Sequence, residues 1–144
     1  MRLYAESSAV LAWLLGEPES DVVRQLLAGA AQIFTSVLTL VETDRVLIRA
    51  QVAEALREGD VVDRRRSLAQ ASRRWHLLQL HEEILDRARR PFPGEPIRTL
   101  DALHLASALA ARAAVPGLGV LSLDATIRRT SADLGFEVLP PGMR

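Results

Sequence analysis

The chain contains no cysteine and no lysine: all 18 of its basic residues are arginine. Without cysteine there is no disulfide framework, no thiolate zinc site and no sulfur nucleophile. Without lysine there is no P-loop, whose lysine sits on the phosphates, and no Schiff-base chemistry. A receiver domain, which sets a lysine beside its strand-end aspartates, is excluded on the same ground. Aromatic residues are scarce at 4%, so Trp13 and Trp75 read as core or interface residues rather than as a base-stacking platform. No apolar run reaches the ~20 residues of a membrane span. The segment VLAWLL is short and follows Glu6, and the alanine-rich stretch after Asp101 is interrupted by His104 and Arg112. The expectation is a protein with neither signal peptide nor membrane segment, and a cytoplasmic location fits.

What is present suits a single domain over residues 1–144, with 49% hydrophobic and 25% charged residues. Net charge is zero, so bulk charge does not advertise a nucleic-acid partner. The distribution is uneven. Residues 1–60 carry five Arg and nine acids, a balance of −4, and residues 61–144 carry thirteen Arg and nine acids, a balance of +4. Most of the basic middle, which includes Arg64–Arg66, Arg73, Arg74 and Arg87–Arg90, reads as a solvated helical face. Arginines near a phosphate path would add salt-dependent binding.

Hydrophobic periodicity predicts alternating strands and helices. Strands are expected at 2–5, 33–35, 75–80, 120–123 and 136–139. Ser7 or Ser8 is the expected N-cap of the first helix, and Gly16 its end. A helix is expected from Pro18 to Ala28. Ser36 should cap a helix to about Leu56, with Leu40, Val41, Val46, Leu47 and Ala50 inward. A polar helix over 61–74 offers only Val62, Leu68 and Ala69 as apolar positions. Further helices are expected over 82–90, from Thr99 as N-cap, and over 125–134. Strands alternating with helices argue for an α/β protein with a mostly parallel sheet between helical layers. Ligands of such sheets bind beyond the carboxyl ends of the strands.

Four carboxylates stand where apolar segments start, end or turn: Glu6, Glu42, Asp101 and Asp124. Glu6 and Asp124 each follow a strand, Asp101 lies in the first turn of a helix, and Glu42 interrupts an apolar stretch. Each has an ordinary reading. Asp101 is worth roughly 0.3–1 kcal/mol to a helix N-terminus, Asp124 suits an N-cap, and Glu6 suits a strand end. Glu42, among apolar neighbours, has the weakest ordinary reading. His104, one turn after Asp101, reads as packed and satisfied. Asp44 and Glu17 are expected at the surface. Several acids with no basic partner nearby are most economically explained by a divalent cation. Such an ion neutralises a phosphodiester and activates a bound water for in-line attack, with no need for Cys or Lys.

The segments MRLYAESSAVLAWLLGEPES, TSVLTLVETDRVLIRA, IRTLDALHLASAL and VLSLDATIRRTSADLGFEVLP together resemble a PIN domain, and most closely its VapC toxin branch. The resemblance covers essentially the whole chain. It implies a three-layer α/β/α sandwich with a mostly parallel central sheet. It also implies an endoribonuclease dependent on Mg²⁺ or Mn²⁺, the toxin of a toxin–antitoxin pair. RNA is then the substrate, an antitoxin protein the partner, and a homodimer the expected assembly. Glu6, Glu42, Asp101 and Asp124 match the four family acids as catalytic and metal-holding residues. Ser8 matches the small hydroxyl residue that supports the metal or its waters, and Arg98 is placed to approach substrate phosphate. The family's first acid is usually aspartate, so Glu6 departs from the pattern by one methylene. The alternative this raises is a weakened or silent PIN-like module that binds RNA or protein without cutting. A non-nuclease phosphohydrolase ranks last, because no Asp-x-Asp motif follows a strand.

Overall fold

The computed structural model describes residues 1–143. Five strands, β1 (Arg2–Ala5), β2 (Gln32–Ser36), β3 (His76–Leu78), β4 (Gly119–Leu121) and β5 (Val138–Leu139), form one sheet in the order β3-β2-β1-β4-β5. All four pairings are parallel, with Leu3 opposite Ile33 on one side and Gly119 on the other. Seven helices connect them: α1 (Ser7–Leu15), α2 (Ser20–Gly29), α3 (Val37–Val52), α4 (Glu58–Ser72), α5 (Glu82–Ala88), α6 (Thr99–Ala114) and α7 (Ala125–Asp133).

The sandwich follows from the two-residue period of the central strand. Leu3 and Ala5 point to one face, where they meet Ala9, Val10, Leu14 and Val23 of α1 and α2 and Leu68 of α4. Tyr4 points to the other, among Leu105, Ala106 and Ala108 of α6 and Ile127 of α7. The inner strands are therefore buried on both faces, as parallel sheets require. Buried alanines at 102, 106, 108 and 111 let α6 lie close against the sheet and α5. At β1 the strand order reverses: the chain moves outward to β2 and β3, then returns to the opposite flank as β4 and β5. That reversal opens a crevice beyond the carboxyl ends of β1 and β4.

Two local devices aim elements at this crevice. The Glu95 carboxylate accepts hydrogen bonds from the backbone N–H groups of Phe92 (2.9 Å) and Ile97 (2.8 Å), pinning the proline-rich loop that leads into α6. Gly16, at φ 66°, ends α1 in the left-handed conformation that glycine adopts without a Cβ clash.

Several sequence expectations shift. Ser7 and Ser8 are the first residues of α1 rather than its cap; Glu6 is the N-cap residue, and the serine hydroxyls go to carboxylates. Thr99 likewise begins α6, with Arg98 in the cap position. The helix after Ser36 ends at Val52, and α4 begins at Glu58. The inward face of α3 is rotated only in part from the expected one: Leu47 is buried and Leu40 packs on the core as expected. Thr39, Thr43 and Leu47 are buried, while Val41 is 58% exposed. Threonine methyls make much of this face; Thr35 of β2 donates to the Ala5 carbonyl at 2.6 Å and its oxygen lies 2.8 Å from the Thr39 hydroxyl. In α4 the buried apolar residues are Val61 and Leu68, and Val62 faces water.

The rotation of α3 is testable by chemical denaturation. Leu47→Ala should lower unfolding free energy by about 2–5 kcal/mol, the range for emptying a buried leucine site. Val41→Ala should change it by less than about 0.5 kcal/mol. The opposite ranking would place Val41 in the core.

Candidate active site

The four acids converge on the crevice from four elements. Glu6 follows β1, Glu42 lies in the second turn of α3, Asp101 in the first turn of α6, and Asp124 immediately before α7. Among the described residues no arginine pairs with any of them. The arginine ion pairs are Arg24–Asp21, Arg65–Asp44 and Arg66–Asp63, all on exposed helices. Asp44 is thus at the surface as expected, and Glu17 is exposed.

Each acid is held differently. Glu6 is only 4% exposed. Its Oε1 accepts from Ser7 Oγ at 2.8 Å, and its Oε2 accepts from Ser8 Oγ and from Ser122 Oγ, the latter at 2.7 Å. Glu42 accepts from Ser7 Oγ at 3.1 Å and bonds His104 Nε2. Ser7 has one proton and two carboxylate neighbours, so it shares that proton between them. Asp124 Oδ1 accepts from the backbone N–H of Ile127 at 2.9 Å, so the capping role read from the sequence is real. Asp101 has no hydrogen-bond donor among the described residues. Burial comes first in raising its carboxyl above the usual range, followed by the negative charges of Asp124 and Glu6. Glu42 adds to this, and His104 acts in the opposite sense.

Four residues that sequence reading set aside or passed over support these acids. His104 is 1% exposed and is satisfied, as expected, yet it is also part of the site. Tyr4 Oη lies 2.8 Å from His104 Nδ1. Burial, and then the charge of Glu6, push the Tyr4 phenol well above its ordinary value, so it keeps its proton. On the other side of the ring, His104 Nε2 donates to the Glu42 carboxylate. Ser122 was legible only as the residue two before Asp124. Arg128, one turn into α7, is buried. It donates to the carbonyls of Ser122 (2.8 Å), Pro140 (2.8 Å) and Met143 (3.2 Å), tying the Asp124 turn to the C-terminal segment. Ser8 accepts from Leu123 N–H at 2.9 Å besides contacting Glu6. Arg98 is exposed at the start of α6, three residues before Asp101.

The donor chemistry fits a hard divalent cation: oxygen ligands, excess negative charge and no competing arginine. Among the described residues, however, no group of three or more His, Asp or Glu side chains forms a ready cage. Mg²⁺ commonly takes one or two protein carboxylates and keeps several waters. The half-buried Asp101 and Asp124 are the carboxylates that would hold such an ion.

The raised carboxyl of Asp101 has a signed consequence for the metal-free protein. The fold binds this proton more tightly than the unfolded chain does, so stability falls as pH rises through the folded-state value. Asp101→Asn should therefore raise the Tm measured in chelator above neutrality, and the gain should shrink as pH falls into the carboxylate range. A Tm lowered by the substitution at all pH values would contradict the electrostatic account.

The PIN domain family matches residues 3–133. The chain is 33% identical over 139 residues to Ribonuclease VapC46 of Mycobacterium tuberculosis, covering 96% of this chain and 97% of the relative. Among solved structures it resembles a toxin–antitoxin complex from Klebsiella pneumoniae, with TM-score 0.65 and 17% identity over the full length of both chains. It also resembles M. tuberculosis VapC20, a toxin that cleaves the sarcin–ricin loop, with TM-score 0.65 and 14% identity over 93% of this chain and 95% of that one. The fold and these similarities agree: the chain belongs to the PIN domain family, in its VapC branch.

Proposed function

We propose that this protein is a metal-dependent endoribonuclease and the toxin of a VapBC-type toxin–antitoxin pair. The observation that carries the reading is the meeting of four carboxylates at the sheet's crevice without an arginine partner, with Asp101 driven towards protonation first by burial and then by its acidic neighbours. A bound Mg²⁺ or Mn²⁺ would neutralise substrate phosphate and lower the pKa of an attacking water. Asp101 and Asp124 are the residues best placed to hold it. Glu42, anchored by His104 and Ser7, orients the water from the α3 side. Tyr4 locks the histidine, and Arg98 at the mouth of the crevice offers a fork for phosphate.

Ribonuclease VapC46 is named for an RNA-cleaving activity, which supports RNA as the substrate class here. The Klebsiella neighbour is a toxin–antitoxin complex, which supports a cognate antitoxin as partner. A groove of about 400 Å³ runs beside Glu42, lined by Leu11, Leu38, Val41 and Leu100. It is an apolar surface adjoining the acids that such a partner would cover. No helix among the described residues is long and apolar enough to cross a membrane, and the proposed setting is the cytoplasm, as a homodimer.

The second reading is a weakened or silent PIN module that binds RNA or protein. The burial of Glu6 among three serine hydroxyls favours it, because that carboxylate is turned away from free solvent. Purified protein incubated with RNA and Mn²⁺ separates the two. Cleavage should require the metal, stop in chelator, and fall more than about a hundredfold in Asp101→Asn. That exceeds the roughly 10–100-fold of a change outside the ligand set. Wild-type protein that binds Mn²⁺ and RNA but leaves the RNA intact would establish the silent module.

A further inference from the structure

Glu6 is the one site acid that departs from the aspartate of its family, and its surroundings explain what the longer side chain does. A carboxylate offers about four acceptor positions. Three are taken: Ser7 on Oε1, and Ser8 with Ser122 on Oε2. Each of the last two serines has one proton, and donating it to Glu6 leaves its lone pairs free. Those lone pairs receive the next two backbone N–H groups of the β4–α7 turn. Leu123 N–H donates to Ser8 Oγ at 2.9 Å and Asp124 N–H to Ser122 Oγ at 3.1 Å. The backbone N–H of Glu6 itself donates to the Leu121 carbonyl at 2.9 Å. Two parallel hydrogen-bond paths thus run from one carboxylate to the main chain that carries Asp124.

We infer that Glu6 is a positioning residue that sets the Asp124 turn, and that the divalent cation is held directly by Asp101 and Asp124 without Glu6. The inference rests on the metal-dependent nuclease reading. Three observations support it: the nearly full occupancy of the Glu6 carboxylate, its 4% exposure, and the absence of a three-residue cage among the described residues. The additional methylene lengthens the side chain by about 1.5 Å, one C–C bond. That reach carries the carboxylate into the serine cluster. Charged hydrogen bonds of this kind are the strong ones, and they lock both serines in the orientation that receives the turn amides.

The test counts the water molecules bound to Mn²⁺ on the full chain, by EPR line broadening in ¹⁷O-enriched water. Glu6→Gln should leave the count at the wild-type value, because no ligand is lost. One added water in Glu6→Gln would make Glu6 a ligand and overturn the inference. Ser122→Ala provides the second arm. It should weaken Mn²⁺ binding by about 10–100-fold, the range for residues that orient ligands. The double variant should bind no more weakly than the weaker single, because both act through one turn. Unchanged Mn²⁺ affinity in Ser122→Ala would overturn the inference even if Glu6→Gln fails to fold, and where it folds additive losses in the double variant would overturn it too. Wild-type protein that takes up no Mn²⁺ would remove the nuclease reading and this inference together, whereas an added water in Glu6→Gln removes only the latter.

Discussion

Negative charge gathered at the carboxyl edge of a parallel sheet is the constraint around which this molecule is organised. Like charges in a half-buried crevice repel, and burial makes each costlier still. Most proteins answer with arginine, of which this chain has many. Here the arginines serve exposed helices and backbone carbonyls instead. The acids are held one by one by hydroxyls for Glu6, an imidazole N–H and a hydroxyl for Glu42, and a helix N-terminal amide for Asp124. Hydroxyl and amide donors hold a carboxylate in place without cancelling its charge. Asp101, left without a donor, carries the residual strain as an elevated proton affinity. Such an arrangement preserves the field that a cation would answer, which an arginine would have consumed.

The same donors connect the elements of the fold. From Tyr4 on β1 the bonds run to His104 on α6, to Glu42 on α3, to Ser7 on α1, to Glu6, and through Ser122 to the turn before α7. Each member is buried or half-buried, so breaking one leaves its neighbour unsatisfied at a cost of about 1–3 kcal/mol. The chain of bonds crosses the sheet from one helical layer to the other. It therefore fixes the relative position of acids that come from distant parts of the sequence. Polar networks of this sort rigidify a site when every member is satisfied.

Much of this was legible in the sequence, because strand-to-helix boundaries are where both the fold and the site announce themselves. β1, the Gly16 stop, the Ser36 cap and the Asp124 cap were read from local chemistry that does not depend on the rest of the protein. The inner face of α3 was legible only in part. Leu47 is buried and Leu40 packs on the core as expected, but Val41, with Ile48 and Val52, lies on the outer surface, and the buried Thr39 and Thr43 take inner positions that hydropathy does not mark. Ser7 and Ser8 were misread for a related reason. A serine after a strand is the usual helix cap, and only the three-dimensional approach of Glu6 and Glu42 reassigns their hydroxyls. The roles of Ser122 and His104 depend on contacts 116 and 100 residues away, beyond any local pattern.

At position 6 one methylene decides how far the carboxylate reaches from the strand end. In an aspartate the carboxylate stays near the strand end, where the crevice opens. In a glutamate at the same backbone position it extends past that point, and it is stable there only if the surroundings supply donors. The three serines do so, one from each of two consecutive positions on α1 and one from the turn after β4. The substitution and the serine cluster are therefore one feature. A lone glutamate without the hydroxyls would face an unpaired burial cost, and serines without the glutamate would lose the acceptor that orients them. With both present, the turn amides of Leu123 and Asp124 are met by lone pairs already pointed at them. The preorganisation of Asp124 then no longer depends on any ion being bound.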